Sequence, residues 1–252
     1  MSEHVAEEPA FTEDRLLGGR VRLKQPATGY RVAIDPVFLA AAVPAEPHQL
    51  VLDIGCGAGA AMLCLAARVP HSRVVGLEMQ RDLVRLAGDN VILNGLDARA
   101  SVMIGDLLQP PPRLSPGAFD HVMANPPFRR RDHADPAATS GKSAATIEGD
   151  ADLGDWVRFS LAMVRAKGTV TFIYRADRID ALLGQIAGRA GEVVVFPLWP
   201  VAGEAASRIL VRARKQVAAP ARLAAGLVLH GADGRFSPDA EGVLREGGGL
   251  DI

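Results

Sequence analysis

The chain reads as an α/β protein built on a doubly wound, mostly parallel sheet with an antiparallel strand near the C-terminus. Three observations predict this. Apolar β-type runs alternate with amphipathic helical runs from Leu50 onward. The first of these runs, Leu50-Val51-Leu52-Asp53-Ile54, flows straight into the glycine turn Gly55-Cys56-Gly57-Ala58-Gly59. Four consecutive strand ends then carry polar or glycine-rich chemistry, where such sheets bind their ligands.

The totals bound the class. The 252 residues have a net charge of −1, with 48% hydrophobic and 23% charged residues, an ordinary globular mix. That balance excludes strong non-specific nucleic-acid binding by the whole surface and leaves room for a local basic patch. No apolar run is long enough to span a membrane. Two cysteines, Cys56 and Cys64, form no disulfide framework, which fits a reducing cytoplasm. The histidines are scattered, so no metal site is expected. The acidic stretch 1–15 reads as a disordered lead and 16–48 as a strand and helix packed on the main unit. Residues 49–245 read as that unit, and 246–252 as a flexible tail. No oligomer is predicted.

In chain order, Val21-Arg22-Leu23-Lys24 alternates as a strand with one wet face. Asp35-Pro36 starts a helix through about Ala42, with Asp35 as N-cap and Pro36 at the first helical position. After the glycine turn, Ala60 to Val69 is a small-residue helix. Arg73 to Glu78 is a second strand, ending in an acid. Asp82 to Leu93 places Leu83, Leu86, Ala87, Asn90 and Val91 at helical spacing, and Asn94-Gly95 ends it. Ser101 to Ile104 is a third strand, followed by Gly105-Asp106-Leu107 and a proline-rich loop. Phe119 to Ala124 is a fourth. Residues 129–150 carry no apolar periodicity and read as a mobile loop. Leu153 to Val164 is a helix that Gly168 caps, Thr169 to Tyr174 a fifth strand, and Asp177 to Gly188 another helix. Glu192 to Phe196 and Ser207 to Val211 are two last strands around a turn at 197–205, with Leu227 to Gly231 as an edge.

The fourth strand runs into Asn125-Pro126-Pro127-Phe128. Two successive prolines fix two φ angles and push the residue before each toward extended geometry. The Asn125 side-chain oxygen and the Pro126 carbonyl are then two stiffly held acceptors, suited to the two N–H groups of a planar –NH2. Phe128 is a platform for the attached ring.

The glycine turn also satisfies the loose dinucleotide pattern, and Glu78 stands about twenty positions on, where a ribose-binding acid belongs. NAD therefore competes with S-adenosylmethionine. Asp53 favours the methyl donor, because a carboxylate repels a pyrophosphate but orients the glycine loop or meets a positive amine. Asp106 suits an adenine amino group, and the Asn-Pro-Pro-Phe turn grips an amine that hydride transfer does not need. The bland readings are a turn-forming Asp106, a helix-start Glu78 and Asp35 as a plain cap. Cys56 is a packed residue and not a nucleophile, His133 is solvated, and Trp156 belongs to the core.

This set of motifs resembles the class I S-adenosylmethionine methyltransferases that modify exocyclic or amide nitrogens, with their Rossmann-like sheet. Within them the chain is similar to the bacterial tRNA (valine) adenine-N6 methyltransferases. Lys24-Gln25, Gly29-Tyr30-Arg31 and Ile34 to Leu39 resemble that family's start, and Arg208 to Val211 and Leu227 to Gly231 its end. The resemblance implies that Asp53, Gly55, Cys56, Gly57 and Gly59 hold the methionine part, with Asp35 reaching it from the lead. It implies that Glu78, beside Met79, holds the ribose, that Asp106 and Leu107 hold the adenine, and that Asn125, Pro126, Pro127 and Phe128 are catalytic, with Asn125 also counted among the donor-binding residues. Arg22, Lys24, Arg129, Arg130, Arg131 and Lys142 are candidate RNA contacts. The prolines at 110–112 and the arginine triplet depart from that family's pattern. The competing readings are a release-factor glutamine-N5 methyltransferase, an adenine-N6 enzyme acting on rRNA or DNA, and a non-catalytic RNA-binding module on a relic fold. The short lead before Leu50 argues against the glutamine reading, whose enzymes usually carry a helical domain there.

Overall fold

A computed structural model describes residues 11–28, 32–127 and 151–252. The chain forms a nine-stranded mixed sheet with helices on both faces and a separate two-stranded hairpin. The hairpin pairs β1 (Phe11–Leu16) with β2 (Val21–Pro26). Residues 11–15, expected in a disordered lead, are therefore a strand; the rest of that lead lies outside the described residues.

Helix α1 (Asp35–Ala42) is buried along its whole length, as its run of apolar and alanine residues requires. Then come β3 (Leu50–Ile54), α2 (Ala60–Arg68), β4 (Arg73–Glu78), α3 (Arg81–Leu93), β5 (Ala100–Ile104) and β6 (Phe119–Ala124). The second half holds α4 (Leu153–Met163), β7 (Val164–Arg175), α5 (Ile179–Ile186), β8 (Ala190–Val201), β9 (Arg208–Lys215), β10 (Arg222–Leu223), β11 (Leu227–His230) and α6 (Pro238–Leu244). The strand order is β10-β8-β9-β7-β6-β3-β4-β5, with β11 also beside β8. Strands β3 to β7 run parallel, and β9 is inserted antiparallel between β7 and β8. The doubly wound sheet with an antiparallel C-terminal strand is thus as the sequence predicts.

Alternation along each strand feeds two cores. Val51 packs on the face covered by α1, α2 and the hairpin, while its neighbours Leu52 and Ile54 pack toward α4 and α5. The chain winds from β3 outward through β4 to β5, then returns to the other side of β3 with β6. This reversal puts the crevice between the carboxyl ends of β3 and β6.

Several boundaries differ from expectation. Asp35 is inside α1 and makes no cap bond; Ile34 precedes the helix, and the Asp35 carboxylate pairs with Arg208 instead. Gly168 does not cap α4, which ends at Met163; it lies within β7, where an added Cβ would meet the Asp120 carbonyl at 2.4 Å. Strand β8 continues through Pro197, paired with Ile209, so the connection is shorter than 197–205. The stretch 246–252 docks: the Leu250 N–H donates to the Ala41 carbonyl at 2.8 Å, Arg212 holds the Ile252 carbonyl, and Ile252 is fully buried. Its apolar end residues have a place in the α1 core, which composition alone does not reveal.

That docking predicts the cost of Ile252→Ala. Removing a buried Ile side chain costs about 2–4 kcal/mol, read as a lowered urea midpoint at unchanged slope. A loss below about 0.5 kcal/mol would mean the tail is not seated.

Candidate active site

The strand register brings the candidate groups to one edge. Ile54 pairs with Leu77 of β4 and Ala124 of β6, and Glu78 pairs with Ile104 of β5. One residue further on stand Gly55, Glu78 and Asn125, with Asp106 two residues beyond Ile104. Four adjacent strands thus deliver the glycine loop, a carboxyl group, an aspartate and the Asn-Pro-Pro turn to the crevice.

The glycine loop is held at several points. The N–H groups of Gly55 and Cys56 donate to the Leu77 carbonyl at 2.8 and 3.1 Å. Glu78 is buried; its Oε2 accepts from the Gly57 N–H at 3.0 Å and its Oε1 from the Gln80 N–H at 2.9 Å. Gly57, at φ +56°, has open space where a Cβ would stand. Gly55, at φ +69°, is pressed by α4: an added Cβ would lie 2.6 Å from the Trp156 ring. Trp156 is thus partly core, as the sequence implies, and also a lid on the loop's first residue.

Asp53 lies beneath the loop, almost fully out of solvent, and accepts from the Met62 N–H in the first turn of α2. A carboxyl group there complements the helix N-terminus. Its Oδ2 has no hydrogen-bond partner. Burial pushes its pKa up to about 8, against the Met62 N–H and with help from the Glu78 charge. Burial likewise pushes the Cys56 thiol well above its ordinary range and Cys64 to about 12, so neither is a ready nucleophile.

Asn125 is half-buried, and its Oδ1 is buried without a partner. An orphaned buried acceptor costs about 1–3 kcal/mol unless a ligand completes it. Pro126 is buried and Pro127 half-buried behind it. Asp106 Oδ1 accepts from the Leu108 N–H at 2.9 Å, which makes it a turn former as well as a strand-end acid. Leu107 is half-buried, whereas Met79, Ile104 and Leu108 are exposed apolar groups around the same strand ends. The unexpected prolines act structurally: Pro111 packs on Gly105, where a Cβ would meet it at 2.5 Å.

Other candidates are engaged by partners within the chain or lie outside the described residues. Asp35 is engaged by Arg208 at 3.0 Å. Arg22 is gripped in two-point fashion by Glu13 at 2.8 and 3.0 Å. Its backbone N–H donates to Asn94 at the end of α3 at 2.8 Å. Lys24 is exposed beside Asn90, one turn earlier on that helix. Phe128, Arg129, Arg130, Arg131, His133 and Lys142 lie outside the described residues. The sequence reading passed over Asn90, Trp156 and Arg208 as site-shaping residues. A polar residue on the apolar stripe of α3 was the signal for Asn90.

Among the described residues no group of three or more His, Cys, Asp or Glu side chains is placed to hold a metal, and no helix is long and apolar enough to cross a membrane.

A doubly wound sheet with a clamped glycine loop, an acid ending the second strand and an Asn-Pro-Pro turn ending the fourth is the architecture of the class I S-adenosylmethionine-dependent methyltransferases, and this chain has that fold. More particularly, residues 31–142 match the family described as the methyltransferase small domain. The chain is 24% identical over 164 residues to the rRNA N(6)-adenosine-methyltransferase metl-5 of Caenorhabditis elegans, covering 65% of this chain and 69% of that protein. It is 31% identical over 101 residues to the tRNA1(Val) (adenine(37)-N6)-methyltransferase of Vibrio campbellii, covering 40% of this chain and 41% of that protein. It is 37% identical over 93 residues to the release factor glutamine methyltransferase of Geobacter sulfurreducens, covering 36% and 31%. The alignments with the tRNA and release-factor enzymes thus span less than half of those relatives. Among solved structures, a predicted O-methyltransferase from Agrobacterium tumefaciens superposes with a TM-score of 0.72 at 24% identity, covering 86% of this chain and 98% of that one. At that identity the likeness concerns the fold.

The residues fit the donor. The unpartnered Asp53 Oδ2, the open face of Gly57, the carboxyl group of Glu78 and the exposed apolar groups near Asp106 suit an amine, a ribose and an adenine in turn.

The buried titrating groups make stability depend on pH in a definite pattern. Asp53, raised from 3.8 to about 8, contributes stability that is full below pH 3.8 and lost as pH rises to about 8. His121, bonded between Thr169 and Gln49 at 2.8 Å each, is lowered by burial from 6.5 to about 4. Its contribution is full above pH 6.5 and lost as pH falls to about 4. The two slopes oppose one another between about 4 and 6.5, and only that of Asp53 remains above. Urea titrations should show nearly flat stability over the lower window, then a fall approaching 1.4 kcal/mol per pH unit. Asp53→Asn should abolish the fall above pH 6.5 and expose a rise with pH below it; an unchanged profile would refute the assignment.

Proposed function

We propose that the chain transfers a methyl group to the exocyclic N6 of an adenine in tRNA, by resemblance the anticodon-adjacent adenine of a valine tRNA, and works in the cytoplasm. The observation that carries the reading is the buried, partnerless Asn125 Oδ1 in the Asn-Pro-Pro turn beside the glycine loop. Relatives named for adenine N6 in tRNA and rRNA support it.

Adenine N6 is a weak nucleophile because its lone pair is delocalised into the ring. Asn125 Oδ1 accepts one N–H and the Pro126 carbonyl the other. Both bonds favour a pyramidal nitrogen with its lone pair free, and both strengthen as that nitrogen becomes positive. When bound, the donor supplies an electrophilic methyl group on a sulfonium. Pro127 removes a competing donor and stiffens the turn, so positioning costs little at the moment of reaction. An amide has no basicity at neutral pH, so Asn125 orients and stabilises while the surplus proton leaves to water. Phe128 is the expected stacking platform for an extruded base, worth about 1–3 kcal/mol. Arg129, Arg130, Arg131 and Lys142 follow the turn in sequence and are proposed phosphate contacts; Lys24 is a further one. Arg22, whose guanidinium already pairs with Glu13, is not among them.

The second reading, glutamine-N5 methylation of a release factor, is favoured by the 37% match over 93 residues. A glutamine side chain offers the same –NH2 to the same two acceptors.

Asn125→Ala should lower turnover at least about a hundredfold, by analogy with loss of one oriented electrostatic group, while leaving donor affinity within about twofold. Near-normal turnover would refute the mechanism. Labelled donor incubated with bulk tRNA and with purified release factor should mark tRNA and yield N6-methyladenosine on digestion. Label in the release factor alone would establish the second reading instead. Reversing the charges of Arg129 to Arg131 should weaken tRNA binding and flatten its salt dependence; unchanged binding would remove the triplet from the interface.

A further inference from the structure

Asn90 of α3 is fully out of solvent, and its amide faces two elements at once. Its Oδ1 accepts from the Lys24 N–H at 2.8 Å, and its Nδ2 donates to the Lys24 carbonyl at 2.7 Å. The same Nδ2 donates to the Ala58 carbonyl of the glycine loop at 2.9 Å. One turn on, Asn94 repeats the hairpin half of the pattern on Arg22, accepting from its N–H at 2.8 Å and donating to its carbonyl at 2.7 Å. Arg22 and Lys24 are alternate residues of β2, so the two amides satisfy its free edge as a neighbouring strand would. Asn94 has no bond to the loop; its Nδ2 returns to the Asn90 carbonyl at 2.7 Å.

Seating the hairpin does not by itself require Asn90. Leu17, Val21 and Leu23 are already buried under it, and Asn94 serves its edge alone. The Ala58 carbonyl is the partner that explains a fully buried amide. Ala58 stands between Gly57 at φ +56° and Gly59 at φ +92°, a backbone with wide torsional freedom. Glu78 fixes the peptide before Gly57 through its N–H. Asn90 fixes the peptide after Ala58 through its carbonyl, and the Gly59 N–H in that same plane donates to the Cys56 carbonyl at 2.9 Å. The Gly57–Ala58 peptide is left between two pinned neighbours.

We propose that Asn90 is a positioning residue for the methyl donor: it sets the glycine loop before the ligand arrives, and ties that setting to the docked leading hairpin. The proposal rests on the methyltransferase reading for its ligand, and on the ligand-free structure for its geometry.

Hydrogen exchange on the ligand-free protein and calorimetry with S-adenosylmethionine test it together. In Asn90→Ala, and in the volume-keeping Asn90→Leu, the Gly57 and Gly59 amides should exchange roughly tenfold faster, and the donor dissociation constant should rise by a similar factor. Asn94→Ala should speed exchange at Arg22 yet leave the loop amides and donor affinity within about twofold. Loop protection and affinity unchanged in both Asn90 variants would overturn the proposal, as would an equal effect from Asn94→Ala. Should neither Asn90 variant fold, the wild type decides: the Lys24 and Gly59 amides must open together, with one denaturant slope, and independent opening overturns the idea. Failure of the wild type to bind the donor would instead fault the methyltransferase reading, and exchange would still judge Asn90.

Discussion

The bond from the Gly57 N–H to the Glu78 carboxyl group is the constraint on which the site depends. It joins the end of β4 to the loop leaving β3, so two adjacent strands share one geometry at the crevice. The loop needs such a clamp because Gly55, Gly57 and Gly59 all sit at positive φ, where only glycine is unstrained and nothing intrinsic selects one path. Leu77 holds its start, Asn90 its end, and Trp156 presses on Gly55 from the opposite layer. A ligand then meets a surface already ordered, which lowers the entropy lost on binding.

The sheet supplies the rest by register. Because β3 is flanked by β4 and β6, any group one residue past Ile54, Leu77 and Ala124 reaches the same crevice. Burial then sets the chemistry. Asp53 is excluded from water beneath the loop and held toward its neutral form, while Asn125 presents a buried acceptor with nothing to accept from. Both groups are buried polar atoms with unused hydrogen-bonding capacity at the crevice.

Much of this was legible in the sequence because it is local. The glycine turn, the acid ending the second strand and the double proline each announce themselves within a few residues, and alternating helices and strands indicate the mostly parallel sheet around them. The parts that were not legible depend on distant partners. Asp35 looked like an N-cap because Asp-Pro usually is one, but Arg208 claims its carboxylate from the far end of the chain. Gly168 looked like a helix stop, yet it is small because the Asp120 carbonyl passes close by. The final residues looked frayed because their glycines hide a buried Ile252. Arg22 looked free until its partner Glu13 was seen. Asn90 alone left a trace, as a polar residue on an apolar stripe.

The account stands on the clamped loop serving a methyl donor and not a dinucleotide, although the glycine spacing admits both. Parallel calorimetric titrations of the purified chain with S-adenosylmethionine and with NAD, without added metal, test this most directly. The account predicts one saturable site for S-adenosylmethionine and no heat of binding from NAD. Saturable NAD binding with none for S-adenosylmethionine would contradict it.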